Sequence, residues 1–221
     1  MVDVQQQIEA VERGVHTVER DGEQLRVQTL TQEYSASLGD VWDAATSLER
    51  IPRWFAPVEG DARLGGRYQV VGNAGGEVLE SSPPADGRAH YRVTWEFGGG
   101  VTWLAVRLTA VGDDRTRLEL EHTARVSDVP TEFFTQFGSG ATGVGWDQAL
   151  LGLSLHLGSG AGVAPSEAEA WMVGDEGKAF ARAASAAWGA ADVADGVDPD
   201  AASAAVEATY AFYTGQGPGA M

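Results

Sequence analysis

The chain has 221 residues, 43% apolar and 21% charged, enough to bury a sizeable core and too hydrophobic for a disordered tail protein. Fifteen Lys plus Arg against thirty-two Asp plus Glu give a formal charge of −17, which repels nucleic acid and anionic membrane surfaces, so neither is an expected partner. With no cysteine, thiol catalysis, disulfides and thiolate metal sites are excluded together, and no apolar run of signal-peptide or membrane-spanning length occurs, so a cytoplasmic protein is expected.

Residues 3 to 13 read as a short polar helix stopped by Gly14. Strand-like runs at 15–20 and 24–34 flank Asp21-Gly22, a dipeptide suited to the positive φ angles of a tight hairpin. Gly39-Asp40 opens a helix through Val41, Trp42, Ala45 and Leu48, and Pro52 separates from it a second short helical stretch ending at Trp54-Phe55. Between 58 and 126 the apolar period becomes two, and Gly-rich turns recur, so an antiparallel meander is expected. In it Tyr91, Val93, Trp95 and Phe97 alternate with His90, Arg92, Thr94 and Glu96. Likewise Leu118, Leu120, His122, Ala124 and Val126 alternate with Arg117, Glu119, Glu121, Thr123 and Arg125, which predicts one buried face and one wet face. After Pro130 the pattern is helical: Phe133 and Phe137 precede a glycine-rich break, and Trp146, Leu150, Leu153 and Leu157 then mark an amphipathic helix that can lie across the sheet. Beyond Gly158 the chain is alanine-rich, with nine acids and two bases. Three helices are expected there: one capped by Ser166 and Glu169, one from Asp175 to about Trp188, and one from Asp198-Pro199 to Gly215. Their large apolar side chains are too few for an independent core, so residues 158–221 should dock as an extension on a main domain of residues 1–157, or on a partner subunit.

The order of these elements carries a resemblance over roughly residues 24–157. Its motifs are Ser37-Leu38-Gly39-Asp40-Val41-Trp42-Asp43-Ala44 leading to Ile51-Pro52-Arg53-Trp54-Phe55, then Leu64-Gly65-Gly66-Arg67-Tyr68, and Gly76-Glu77-Val78-Leu79-Glu80. Val93-Thr94-Trp95, the strand from Thr116 to Thr123, and Gly145-Trp146-Asp147-Gln148-Ala149-Leu150 follow in order. Together they resemble the START-like (SRPBCC) superfamily, in the branch of the activator of heat-shock-protein-90 ATPase homologues. The resemblance implies an α+β helix-grip fold: a curved antiparallel sheet wrapped around a long carboxy-terminal helix, with a cavity for an apolar ligand. Phe133, Phe134, Phe137 and the following glycines depart from that pattern, as does everything after residue 158.

Gly138-Ser139-Gly140-Ala141-Thr142-Gly143 matches the dinucleotide fingerprint literally, but no strand or parallel βαβ unit precedes it, so it reads as a flexible joint able to gate a cavity. His122 is the residue of most interest, because alternation places it on the face of Leu118 and Leu120, where a polar group needs a partner. It is either a core histidine satisfied by a neighbour or a group that orients or deprotonates a ligand. His16, His90 and His156 have no metal-ligand spacing, and no nucleophile elbow or phosphate loop is present; neither a metal site nor a cofactor is expected. Trp54, Phe55, Tyr68, Trp95, Phe133, Phe137 and Trp146 are the candidate cavity lining beside His122.

These readings converge on a carrier or sensor of an apolar or aromatic small molecule held between sheet and long helix, with no bound cofactor. Two alternatives are a polyketide cyclase or aromatase type of enzyme, which requires at least two polar residues converging near His122, and a co-chaperone-like interaction module. Homodimerisation through the carboxy-terminal helices is the expected mode of self-association.

Overall fold

A computed structural model describes residues 3–160, 162 and 165–216. The chain forms helix α1 (Val4–Glu9), strands β1 (Glu12–Arg20) and β2 (Glu23–Tyr34), helix α2 (Leu38–Thr46), and a 3-10 turn at Ile51–Arg53. The meander follows as β3 (Val58–Gly60), β4 (Arg67–Val70), β5 (Gly75–Ala85), β6 (Arg88–Phe97), β7 (Gly100–Gly112) and β8 (Arg115–Arg125). Helices α3 (Thr131–Phe137), α4 (Gly140–Ser159), α5 (Pro165–Val173), α6 (Asp175–Ala194) and α7 (Pro199–Tyr213) complete it. The strands form one eight-stranded sheet in the order β1-β2-β8-β7-β6-β5-β4-β3, so the fold is α+β and of the helix-grip type.

Several local expectations hold for the stated reasons. Asp21 and Gly22 take φ angles of 54° and 79°, the left-handed pair a two-residue hairpin turn requires. Asp198 caps α7 by accepting from Asp200 N and Ala201 N at 3.1 Å each, while α2, expected to open at Gly39-Asp40, begins at Leu38 with the Ser37 hydroxyl accepting from Asp40 N. Other expectations are corrected. The first helix ends at Glu9 and β1 already begins at Glu12, so Gly14 is a strand residue rather than a helix stop. Gly174, not Asp175, is the N-cap of α6, which runs six residues past Trp188. The capping box at Ser166 and Glu169 falls on side chains outside the described residues.

The chain separates into two compact units, which share β2 and α4 as continuous elements. The first unit comprises Met1–Gln28, Arg125–Gln148 and Ala164–Met221. Within it α6 packs on α1, β1, α5 and α7, and Phe180 and Trp188 of α6 are completely buried. The glycine-rich string is not a joint here. Gly138 does take a left-handed φ of 56°, but Gly140 through Gly143 are the first turn of α4 and are tightly packed. A Cβ at Gly143 would collide with the Trp188 indole, one at Gly140 would lie 3.0 Å from Thr209, and one at Gly138 would lie 2.6 Å from an Asp192 carboxylate oxygen. The glycines therefore serve close approach of α6 and α7, not a gate.

Two buried carboxylates hold this packing. Asp147 accepts two bonds from the Arg13 guanidinium, at 3.2 and 2.8 Å, and one from the Trp188 indole N–H at 2.8 Å. Burial raises the Asp147 carboxyl above its ordinary pKa, and Arg13 pulls it back. Asp192 accepts from Ser139 N at 2.9 Å and from the Ser139 hydroxyl at 2.5 Å, and Arg26 donates to Asp192 at 2.9 Å and to Asp195 at 2.8 Å. The Thr209 and Tyr213 hydroxyls donate to the carbonyls of Phe137 and Ala141, each at 2.9 Å.

The second unit comprises Thr29–Ala124 and Ala149–Val163. Its core is Leu30, Val41, Val78, Val93, Leu108, Leu118, Leu150 and Leu153, all buried, and α2 packs on β5, β6 and β7. Gly152 brings the backbone of α4 against the Trp54 carbonyl, a position where any Cβ would collide. Gln32 donates to the Ser154 hydroxyl at 2.8 Å, and Arg50 donates from Nε to His156 Nε2 at 3.3 Å, two anchors within one turn of this half of α4.

Candidate functional site

Register decides which side chains of the second unit share a face. Val78 lies opposite Val93, Val93 opposite Leu104, and Leu104 opposite His122. The parallel rows are Ala89–Leu108–Leu118, Tyr91–Val106–Leu120, and Trp95–Thr102, with Ala124 continuing the alternation of β8. Exposure along this face is graded. The row of Ala89, Leu108 and Leu118 is closed, at 5%, 1% and 2%. Tyr91 and Val106 are half-buried beside buried Leu120, and Trp95, Thr102 and Ala124 are all half-buried. The face is packed at one end and accessible at the other.

His122, 7% exposed, sits at the boundary. Its Nε2 lies 2.9 Å from the Thr102 hydroxyl, one diagonal step along β7 from its register partner Leu104. The same hydroxyl donates to the Trp95 carbonyl at 3.2 Å. Burial pushes the His122 pKa down to about 4, and the ring is neutral near pH 7. Thr102 was not legible as its partner in the sequence, because the diagonal contact follows from strand register rather than from any local motif.

Aromatic rings extend the accessible end. Phe55 lies 6.5 Å from Trp95 and 5.8 Å from Trp54 between ring centroids, and the Trp54 indole donates to the Ala44 carbonyl at 2.9 Å. Trp42 meets Tyr91 edge-on at 6.1 Å, and the Tyr91 hydroxyl, pushed up to about 12 by burial, donates to the Ala62 carbonyl at 3.3 Å. Tyr68 lies opposite Gly76, whose missing side chain lets its hydroxyl donate to the Thr94 carbonyl at 2.6 Å, and burial raises its pKa. The structure thus brings Trp54, Phe55, Trp95 and His122 together, with Tyr68 two strands from Trp95. Phe133, Phe137 and Trp146 belong to the first unit. There Phe137 stacks 5.3 Å from Phe133 and 5.7 Å from Phe212, while Trp146 is buried. Phe97, expected to face inward, is 64% exposed where the chain turns through Gly98-Gly99. Val126, expected to continue the buried face of β8, is likewise exposed, because that strand ends at Arg125.

The opposite face of the sheet is polar. A groove of about 440 Å³ over Gly75, near the sheet edge, is lined by Glu59, Gly60, Arg67, Tyr68, Gln69 and Glu96, with Arg67 paired to Glu96 at 2.7 Å, so the candidate residue Tyr68 borders this groove as well. Among the described residues no cluster of three His, Asp or Glu side chains could hold a metal ion, and no helix is long and apolar enough to cross a membrane.

Residues 35–158 match the family described as Activator of Hsp90 ATPase homolog 1-like protein. The crystal structure of CalU16 from Micromonospora echinospora is 30% identical, with a TM-score of 0.55, covering 73% of this chain and 96% of that one. The solution structure of the same protein gives 27% identity and a TM-score of 0.65, covering 84% and 97%. EF2215 from Enterococcus faecalis, a conserved protein of unknown function, shares the fold at 13% identity and a TM-score of 0.53, covering 76% of this chain and 92% of its own. No curated protein matches. With more than half of its length matched by the family and this architecture beneath the match, the chain belongs to the Activator of Hsp90 ATPase homolog 1-like branch of the START-like (SRPBCC) superfamily.

Proposed function

We propose that the chain is a carrier or sensor that binds an apolar or aromatic small molecule on the inward face of its sheet, at the Trp95–Thr102–His122 end. The single observation that carries this reading is the graded exposure of that face: Ala89, Leu108 and Leu118 are buried at one end, and Trp95, Thr102 and Ala124 are half-buried at the other, where Thr102 pairs with His122. Apolar surface left accessible on an inward face is what a ligand would cover, at about 25 cal/mol per Å² buried. His122 and Thr102 would orient the polar end of the ligand. A carrier is favoured over a cyclase or aromatase because a buried imidazole with a pKa of about 4 is a poor general base near pH 7. Native mass spectrometry of freshly purified protein, followed by denaturing extraction, tests the reading. A co-purified apolar molecule is expected; an apo mass that also stays unchanged in the presence of a panel of aromatic compounds would overturn it.

A second reading, self-association through the carboxy-terminal helices, rests on the aromatic patch of α3 and α7, where Phe133 and Phe212 are 45% and 60% exposed. Sedimentation velocity of the native chain and of Phe212→Ser is the test: a dimer that the substitution dissociates supports it, and a monomer in both cases removes it.

A further inference from the structure

The inward face of the second unit carries a chemical restriction as well as an opening. Across β4 to β8 the ionisable side chains other than His122 and the two tyrosines fall on the opposite face: Arg67 lies opposite Glu77, Glu80 opposite Arg92, and Arg107 opposite Glu119. At the Trp95 end what remains inward is aliphatic and aromatic, with the Thr102 hydroxyl and the His122 imidazole bonded to each other. Arg50, which bonds to His156 of α4, has its guanidinium committed. It donates to His156 Nε2, to Asp40 at 2.6 Å and to Asp43 at 3.0 Å. An ionised ligand brought onto this face would lose its hydration shell and find no opposite charge to replace it.

We infer that this site selects uncharged ligands, excluding carboxylates, sulfonates and amines that share the same apolar skeleton. This rests on the ligand-binding reading above and narrows it to a ligand class: neutral aromatic molecules whose polar atoms are hydroxyl or carbonyl groups. Shape alone would not make this distinction, since a charged and a neutral ligand can share one carbon framework. The discrimination comes from the missing counter-charge, and for a charge left unpaired on burial it should be large, about 100-fold or more in affinity.

The test uses two dyes with one ring system on the native chain: N-phenyl-1-naphthylamine, which is neutral near pH 7, and 1-anilinonaphthalene-8-sulfonate, which carries one negative charge. Fluorescence titrations run in 1 M NaCl, where the Debye length of about 3 Å removes long-range repulsion by the net charge of −17 and leaves the local effect. The neutral dye is expected to bind at least 100-fold more tightly. Ala124→Phe, which fills the open end without removing a hydrogen bond, should abolish that binding while the far-ultraviolet circular dichroism stays native. Binding of the sulfonate within tenfold of the neutral dye would overturn the inference and leave the ligand-binding reading standing. Binding of neither dye would overturn both. Neutral-dye binding that survives Ala124→Phe in a folded protein would place the dye elsewhere and overturn the inference too.

Discussion

Replacing His122 with Gln isolates the energetic consequence of burying a neutral imidazole. The glutamine amide can still donate to Thr102, but it does not titrate. In the folded chain the His122 pKa is about 4, against about 6.5 for an unfolded histidine, so between these values the unfolded state binds the proton and the folded state does not. The stability held by neutral His122 is therefore fully present above about pH 6.5 and is lost as the pH falls towards 4. The linkage amounts to a loss of about 2 kcal/mol by pH 5 and about 3 kcal/mol by pH 4. At a urea dependence of about 2 kcal/mol per M, the wild-type midpoint should fall by about 1 M more than that of His122→Gln between pH 7.5 and 5. Carboxylate titrations are common to both proteins and cancel in the difference. Proton NMR supplies the companion readout, in which the His122 ring stays neutral down to pH 5. Urea midpoints that fall in parallel for the two proteins would refute the reasoning, because His122 would then titrate alike in both states.

Other substitutions probe the packing. Gly143→Ala should lower stability by about 1–3 kcal/mol through overpacking against Trp188, although alanine is the better helix former by about 1 kcal/mol. Gly158→Ala, in the same helix with open space around it, should instead raise the melting temperature, and equal effects at both sites would contradict the collision. Arg13→Met leaves the Asp147 carboxylate buried with the Trp188 indole as its remaining donor and should cost about 3–5 kcal/mol; a thermal melt within 2 °C of the wild type would show that the pair is not needed. A chain ended at Gly158 loses Trp188 and Asp192, the partners of Asp147 and Ser139, and should aggregate on expression; a soluble product with native circular dichroism would make residues 159–221 accessory.

What the sequence revealed follows the range of the interaction responsible. The Asp21-Gly22 turn, the Asp198 cap and the two-residue alternation of β6 and β8 are set by neighbours within a few residues, and each is readable from composition and spacing. The string Gly138 to Gly143 was misleading because its glycines answer to Trp188, Asp192 and Thr209, 45 to 70 residues away, and a locally flexible composition becomes a closely packed helix start. Phe97 fits the inward alternation but stands at the strand end, where the Gly98-Gly99 turn carries it into solvent. The position of His122 on the inward face was legible. Its partner Thr102 and the opening at Trp95 and Ala124 depend on the register of β6, β7 and β8, which no local pattern encodes.

The most direct test of ligand binding at this face is a two-dimensional amide NMR titration of the native chain with 1-naphthol. Shifts concentrated at Trp95, Thr102, His122 and Ala124, with Phe133 and Phe212 unmoved, are the expected result. Shifts confined to the α3 and α7 aromatic patch, or saturation with no change at His122, would contradict it.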